Sequence, residues 1–349
     1  MRRRKMLGNR YGTHRVIEPK GVLPQPARKL DNDVNKIFDN EILIDVITLN
    51  IDAASFTQIK KEVGEDEERV AQKIMEIVNS RGKMQNPVTG SGGMLIGKIE
   101  KIGDALKGKV DVKVGDEIAT LVSLSLTPLN IKKIKKVHLD NDQIDVDAKA
   151  IIFESGVYAK LPDDMDRRLA LAILDVAGAP AQTARLVNPN DTVVIIGGAG
   201  KSGMLCAYVA KKYSGPAGRV IAIVHSKSKA EYLKKIGITE IFEADATDAI
   251  KVEKIVSDAT NGKMADITIN VVNVPDTEMA SIIATKDYGT VYFFSMATSF
   301  TKAALGAEGI GKDINMIIGN GYMTEHAKIA LETVRESKEI RELFEKMYL

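Results

Sequence analysis

From residue 191 onward, short apolar runs alternate with amphipathic segments, and no other feature narrows the fold so far. TVVII (192–196), RVIAIV (219–224), EIFEA (240–244), ADITINVV (265–272), GTVYFFS (289–295) and INMII (314–318) have strand length. Between them, 227–236, 249–259 and 276–285 read as amphipathic helices. A terminal helix from about 324 places Ala327, Ala330, Leu331 and Val334, then Ile340, Leu343, Phe344 and Met347, on one stripe. Strands that stay apolar on both faces need cover on both sides, which a parallel sheet with crossover helices provides. The expected class is α/β, a doubly wound parallel sheet.

Gly198, Gly200 and Gly203 form GxGxxG in VVIIGGAGKSG, between the predicted strand 192–196 and a predicted helix 201–213. The first glycine is expected to turn the chain, the second to let backbone approach a diphosphate, and the third to let helix and strand pack closely. Lys201 and Ser202 fall in the first helical turn, where the helix dipole favours an anion. Strand, turn, helix and next strand in this order predict a dinucleotide site; the competing reading is a glycine turn with no ligand.

The second strand ends in HSKSK, where an NAD site usually has an acid for the ribose 2′-OH. His225, Ser226, Lys227, Ser228 and Lys229 offer hydroxyls and cations instead. NADP is therefore the expected cofactor, or NAD, with Ser226, Lys227 and Lys229 on the 2′-phosphate. The plainer reading of the lysines is a solvated loop.

Before residue 160 the texture differs. Residues 41–51, 94–102, 109–114 and 117–124 are β-rich runs separated by turn signals, with one helix at 67–79 carrying Val70, Ile74 and Ile77. This suggests a small barrel or sandwich.

Composition excludes several classes. The chain has 349 residues, and 49 Lys plus Arg against 47 Asp plus Glu leave a net charge of +2. That balance gives no electrostatic case for a nucleic-acid or membrane partner, although MRRRK opens the chain. No apolar run reaches the ~18–20 residues of a membrane span, and none follows MRRRK as a signal peptide would require. The single Cys, Cys206, rules out an intrachain disulfide. A soluble cytoplasmic protein is expected.

The order of parts resembles the medium-chain dehydrogenase/reductase superfamily. NPVTGSGGMLIGKIEKIG with VKVGDEIA, and AGAPAQTARLVNPNDTVVIIGGAGKSG, are similar to its zinc-loop and cofactor-loop regions. The resemblance implies a GroES-like catalytic and substrate domain at 1–160, a Rossmann domain at 161–320, and a C-terminal helix at 321–349 returning to the first domain. THRVIEPKGVLPQPARKLDN and RGKMQNPVTGSGGMLIG further resemble the L-erythro-3,5-diaminohexanoate dehydrogenase family of lysine fermentation. That resemblance implies NAD(P)-dependent oxidative deamination of a small diamino acid at CH–NH₂. The alternative is a zinc-independent quinone or enoyl reductase of the same superfamily.

Ser91-Gly92 stands where zinc-dependent relatives carry His-Glu, so no metal is expected. Superfamily matching places Asp52, Ser91 and Asp175 around the vacated metal position. Asp175, inside LALAILDVAGAP, is costly to bury unless paired, and a cationic diamine would pair it. It is expected as the base and Asp52 as the anchor of the remote ammonium, or the reverse. Each has a plainer reading: Asp175 pairs with an Arg such as Arg185, Asp52 caps a helix, and Ser91 is small for packing. Arg81, Lys83 and Asn86 are candidates for the substrate carboxylate. The superfamily commonly pairs its last strand with a twin, and INMII would be a hazardous open edge, so a homodimer is expected.

Overall fold

The computed structural model describes residues 6–295, 297–319 and 321–349, without the side chains of Ala53, Lys229 and Tyr348. MRRRK lies outside the described residues. The chain divides into two compact units between Asp163 and Asp164.

In the first unit, β1 (Val16–Glu18) and β2 (Lys29–Leu30) form an antiparallel pair. Six further strands build an antiparallel sheet in the order β6 (Leu129–His138), β7 (Gln143–Phe153), β3 (Glu41–Ile51), β4 (Gly93–Ile102), β5 (Glu117–Thr120) and β8 (Tyr158–Lys160). Two helices, α1 (Ala53–Val63) and α2 (Glu67–Arg81), bring Phe56, Ile59, Val70 and Ile74 into one core with Leu49, Leu95 and Ile144. α2 begins where the Asp66 carboxylate accepts the Arg69 N–H at 2.9 Å and ends at Gly82, whose φ of +67° is left-handed.

One expectation fails here, and one pair of strands was not foreseen. Residues 109–114 form turns leading to Gly115 (φ +92°), because the Asp116 carboxylate takes the Lys113 N–H that a ladder would need. The long pair β6–β7 escaped notice because Lys132, Lys133, Lys135 and Lys136 interrupt the apolar pattern of β6.

The second unit has six parallel strands in the order β11 (Glu240–Glu243), β10 (Arg219–Val224), β9 (Thr192–Ile196), β12 (Ala265–Asn270), β13 (Thr285–Phe293) and β14 (Asn315–Ile318). Numbered from β9 this is 3-2-1-4-5-6, a Rossmann order that reverses between β9 and β12, where doubly wound sheets bind ligands. Val193 to Ile196 and Ile221 to Val224 are buried, as their unbroken apolar runs require. The crossover helices are α5 (Lys201–Ser214), α6 (Ala230–Lys235), α7 (Ala249–Thr260), α8 (Glu278–Ile283) and α9 (Phe300–Gly309).

Two helices precede the sheet, α3 (Arg167–Leu174) and α4 (Gly178–Leu186), and two end the chain, α10 (His326–Glu336) and α11 (Lys338–Tyr348). The terminal segment expected as one helix breaks at Ser337, whose hydroxyl accepts the Ile340 N–H at 3.2 Å and starts a new helix. Both terminal helices pack on α3, and α10 also meets α4 and α5, all within this unit. The Arg335 guanidinium grips the Asp164 carboxylate at 2.8 and 2.9 Å. No described helix is long and apolar enough to cross a membrane.

Candidate active site

The β9–α5 turn departs from the expected division of labour among its glycines. The chain turns at Gly197, with φ +91°, one residue before the motif. Gly198 instead permits close packing, since a Cβ there would lie 2.9 Å from that of Ala222 on β10. Gly203 does the same for α5, where a Cβ would come within 2.2 Å of the Gly197 carbonyl oxygen. Gly200, the N-cap of α5, meets only that oxygen at 3.4 Å. Room is left on its outer side for an incoming group. The first helical hydrogen bond, Met204 N–H to Gly200 C=O at 2.9 Å, sets Lys201 and Ser202 in the first turn.

Beside this turn lies a cleft of about 400 Å³. Ile223, Val224, Ala244 and Val272 line it with apolar surface, and His225, Ser226, Ser228 and Asp245 with polar groups. The free edge beside Gly200 and this apolar cleft fit the diphosphate and adenosine of a dinucleotide. Ser226 caps a 3-10 turn, Lys227–Lys229, by accepting the Ser228 N–H at 3.2 Å, and the Lys227 N–H donates to Glu243 at 3.1 Å. The Lys229 side chain lies outside the described residues. Residues 225–229 hold no acid, yet Glu243 and Asp245 reach this region from the end of β11. The Thr247 N–H and hydroxyl, at 2.9 and 2.8 Å, hold the Asp245 carboxyl below its usual range.

In the first unit, Asp52 caps α1, accepting the Ser55 N–H at 3.1 Å, as its plainer reading foresaw. It does more. The buried Ser55 hydroxyl lies 3.1 Å from Asp52 Oδ2, 2.6 Å from Thr89 Oγ1 and 2.7 Å from Ser91 Oγ, while Thr89 and Ser91 are 2.9 Å apart. Three hydroxyls carry three protons for these four contacts, and the ionised carboxylate brings none. The cluster is one donor short, a shortfall that any donor at Asp52, water included, would meet. Asp142, between β6 and β7, was missed in the sequence; burial raises its carboxyl above the usual range, opposed by Lys60 and reinforced by Asp52.

The candidates for a substrate carboxylate in RGKMQNP are turned inward. Lys83 is fully buried, and its ammonium donates to the carbonyls of Pro24 and Gln25 at 2.7 and 2.9 Å. Burial, with Arg81 adding repulsion, pushes it down to about 8. The Asn86 amide donates to Ser55 O and Gln58 Oε1, and Arg81 donates to Gln85 Oε1 at 3.2 Å.

Asp175 is not the buried acid its apolar neighbours suggested. It is the C-cap of α3, its side chain is 50% exposed, and Lys201 Nζ, rather than Arg185, lies 2.5 Å from its Oδ2. The structure thus joins Asp52 to Ser91 in one unit and Asp175 to Lys201 in the other. Among the described residues, no three His, Cys, Asp or Glu side chains are placed to hold a metal ion.

Residues 14–162 match the model of the L-erythro-3,5-diaminohexanoate dehydrogenase N-terminal domain, and 202–332 that of zinc-binding dehydrogenases. An L-erythro-3,5-diaminohexanoate dehydrogenase from Acetoanaerobium sticklandii is 63% identical over 99% of this chain and 100% of its own length. The chain belongs to the L-erythro-3,5-diaminohexanoate dehydrogenase family. A second enzyme of that name, from Fusobacterium nucleatum, is 61% identical over 98% of this chain and 99% of its own. Solved structures show the fold alone at 17% identity. The Thermus alcohol dehydrogenase TADH aligns with TM-score 0.53 over 88% of this chain and 85% of its own, and the CurK enoyl reductase with 0.52 over 88% and 78%.

Proposed function

We propose that the chain oxidatively deaminates L-erythro-3,5-diaminohexanoate to 5-amino-3-oxohexanoate and ammonia, using NADP or NAD. The observation that carries this reading is near-full-length identity above 60% to two dehydrogenases of that name, in a chain whose cofactor turn is open at Gly200. Gly198, Gly200, Gly203 and the backbone N–H groups of the first turn of α5, those of Lys201 and Ser202 among them, would hold the diphosphate. Ser226, Lys227 and Lys229 would meet the 2′-phosphate of NADP. The bound nicotinamide supplies hydride acceptance.

The chain's own residues manage charge and protons. Asp175 takes a proton from the 3-ammonium: an N–H bond breaks, an O–H bond forms, and the lone pair stays on nitrogen. That lone pair does for the amine what a metal does for an alkoxide, so no metal is needed in this reading. Loss of hydride from C3 to the nicotinamide would leave an iminium; water would add there, Asp175 would return its proton to the nitrogen, and ammonia would depart as the C=O forms and the two water protons pass to solvent. Asp52, with Ser55 and Ser91 beside it, would anchor the remote 5-ammonium by its negative charge. A second copy of the chain would cover the edge at β14, where Ile318 is exposed. Light scattering at micromolar concentration reads that pairing directly.

The deciding assay measures ammonia and reduced cofactor together. Equal amounts from L-erythro-3,5-diaminohexanoate, undiminished by a chelator, are expected. Cofactor reduction without ammonia would overturn deamination, and loss of activity to the chelator would overturn the metal-free reading.

A further inference from the structure

Asp175 and Lys201 each stand at the end of a helix that disfavours their charge. Asp175 closes α3, where the last carbonyls carry the negative pole, and Lys201 opens α5, where the first N–H groups carry the positive one. Lys201 is at odds with α5, whereas Asp175 also lies two residues before the N-cap of α4, whose positive pole suits a carboxylate; the two face each other at 2.5 Å. Half-exposed as the carboxylate is, solvent screens the bridge, and such pairs contribute little to folding. A lysine held against the pole of its own helix, in a pair that adds little to folding, points to use rather than stability.

We propose that this pair is a mould for an amino-acid zwitterion, in which Lys201 holds the substrate carboxylate and Asp175 the ammonium two carbons away. The inference rests on the deamination reading and supplies the carboxylate partner that Lys83 and Asn86, both turned inward, do not. In a β-amino acid one methylene separates the carboxylate from the amine-bearing carbon, so both charges fit against one close ion pair. Docking exchanges one internal ion pair for two with the substrate and leaves no charge unmatched. A simple amine, carboxylic acid or alcohol would leave one member without its partner. Lys201 follows Gly200, the residue with room for the diphosphate, so the carboxylate is held beside the cofactor turn.

The test compares wild type, Lys201→Gln and Lys201→Arg on diaminohexanoate and on its C1 carboxamide, with cofactor affinity measured separately by fluorescence. Loss of a charge-assisted hydrogen bond corresponds to a ~10–100-fold rise in KM. That rise is expected for Lys201→Gln with the acid and not with the carboxamide; cofactor affinity should stay within about threefold, and Lys201→Arg should recover most of the loss. An unchanged KM for the acid overturns the inference, as does a weakened cofactor with the KM intact, which would assign Lys201 to the diphosphate alone. Should wild type release no ammonia, the deamination reading fails by itself. The mould is then judged by thermal shift with 3-aminobutanoate against butanoate and butylamine: a shift with the zwitterion that Lys201→Gln abolishes supports it, and equal shifts overturn it.

Discussion

Two glycine-rich segments, 90–93 and 197–203, look alike as strings and serve opposite ends. At Gly92 an added Cβ would lie 2.4 Å from the Met84 carbonyl oxygen, and at Gly93, with φ +114°, 2.0 Å from that of Asn50. Backbone closes on backbone there, and the hydroxyls of Thr89, Ser91 and Ser55 knit the loop shut. The second segment uses Gly198 and Gly203 for packing as well, but Gly200 opens onto space. Glycine content therefore does not mark a ligand loop. Nor does an open glycine by itself, since Gly90 of the closed segment also has nothing within 4 Å; what sets Gly200 apart is its place as the N-cap of α5, ahead of the N–H groups that open the helix.

The comparison breaks first at Gly200. Gly200→Asp puts a carboxylate where a diphosphate would lie; cofactor binding should weaken ~10³-fold, about 4 kcal/mol, with the melting temperature nearly unchanged. Tight binding by that variant would show that the open side is unused. Gly93→Ala should do the reverse. Its left-handed backbone and the clash with Asn50 should lower stability by about 2–4 kcal/mol in urea titration, with cofactor affinity unmoved.

Charge sharpens the contrast. Lys83, buried just ahead of the closed loop, titrates near 8 in the fold and near 10.5 when unfolded. Between those values the unfolded chain binds more protons, so stability rises with pH across that window, by on the order of 1–3 kcal/mol. Lys83→Met should remove the rise; a wild-type curve parallel to that of the variant contradicts the burial argument. The smallest effect belongs to the open side. Lys227→Ala with Lys229→Ala should cut the preference for NADP over NAD ~10-fold, about 1.4 kcal/mol, and an unchanged ratio removes both lysines from the 2′-phosphate.

The second unit was the more readable in sequence because buried parallel strands leave unbroken apolar runs. TVVII and RVIAIV became β9 and β10 at their predicted limits. β6 was hidden because one face is solvated and lysine-rich. The site divides in the same way. Superfamily matching grouped Asp52, Ser91 and Asp175; the first two meet through Ser55, Asp175 pairs with Lys201 instead, and Asp142 acts on Asp52 from a turn some ninety residues on, which no local pattern announces. Asp175 was misjudged because apolar neighbours suggest burial, whereas a helix end turns its last residue outward. Lys83 and Asn86 have the polar chemistry of binding residues, yet backbone carbonyls consume it.

The reversed charges at the ends of α3 and α5 have a consequence for descent. A copy of this chain released from its substrate would gain by losing Lys201, since the start of α5 disfavours its charge. On the proposed role, a relative that keeps both residues is expected to keep an amino-acid substrate, and one that has lost the lysine is expected to have taken up other work.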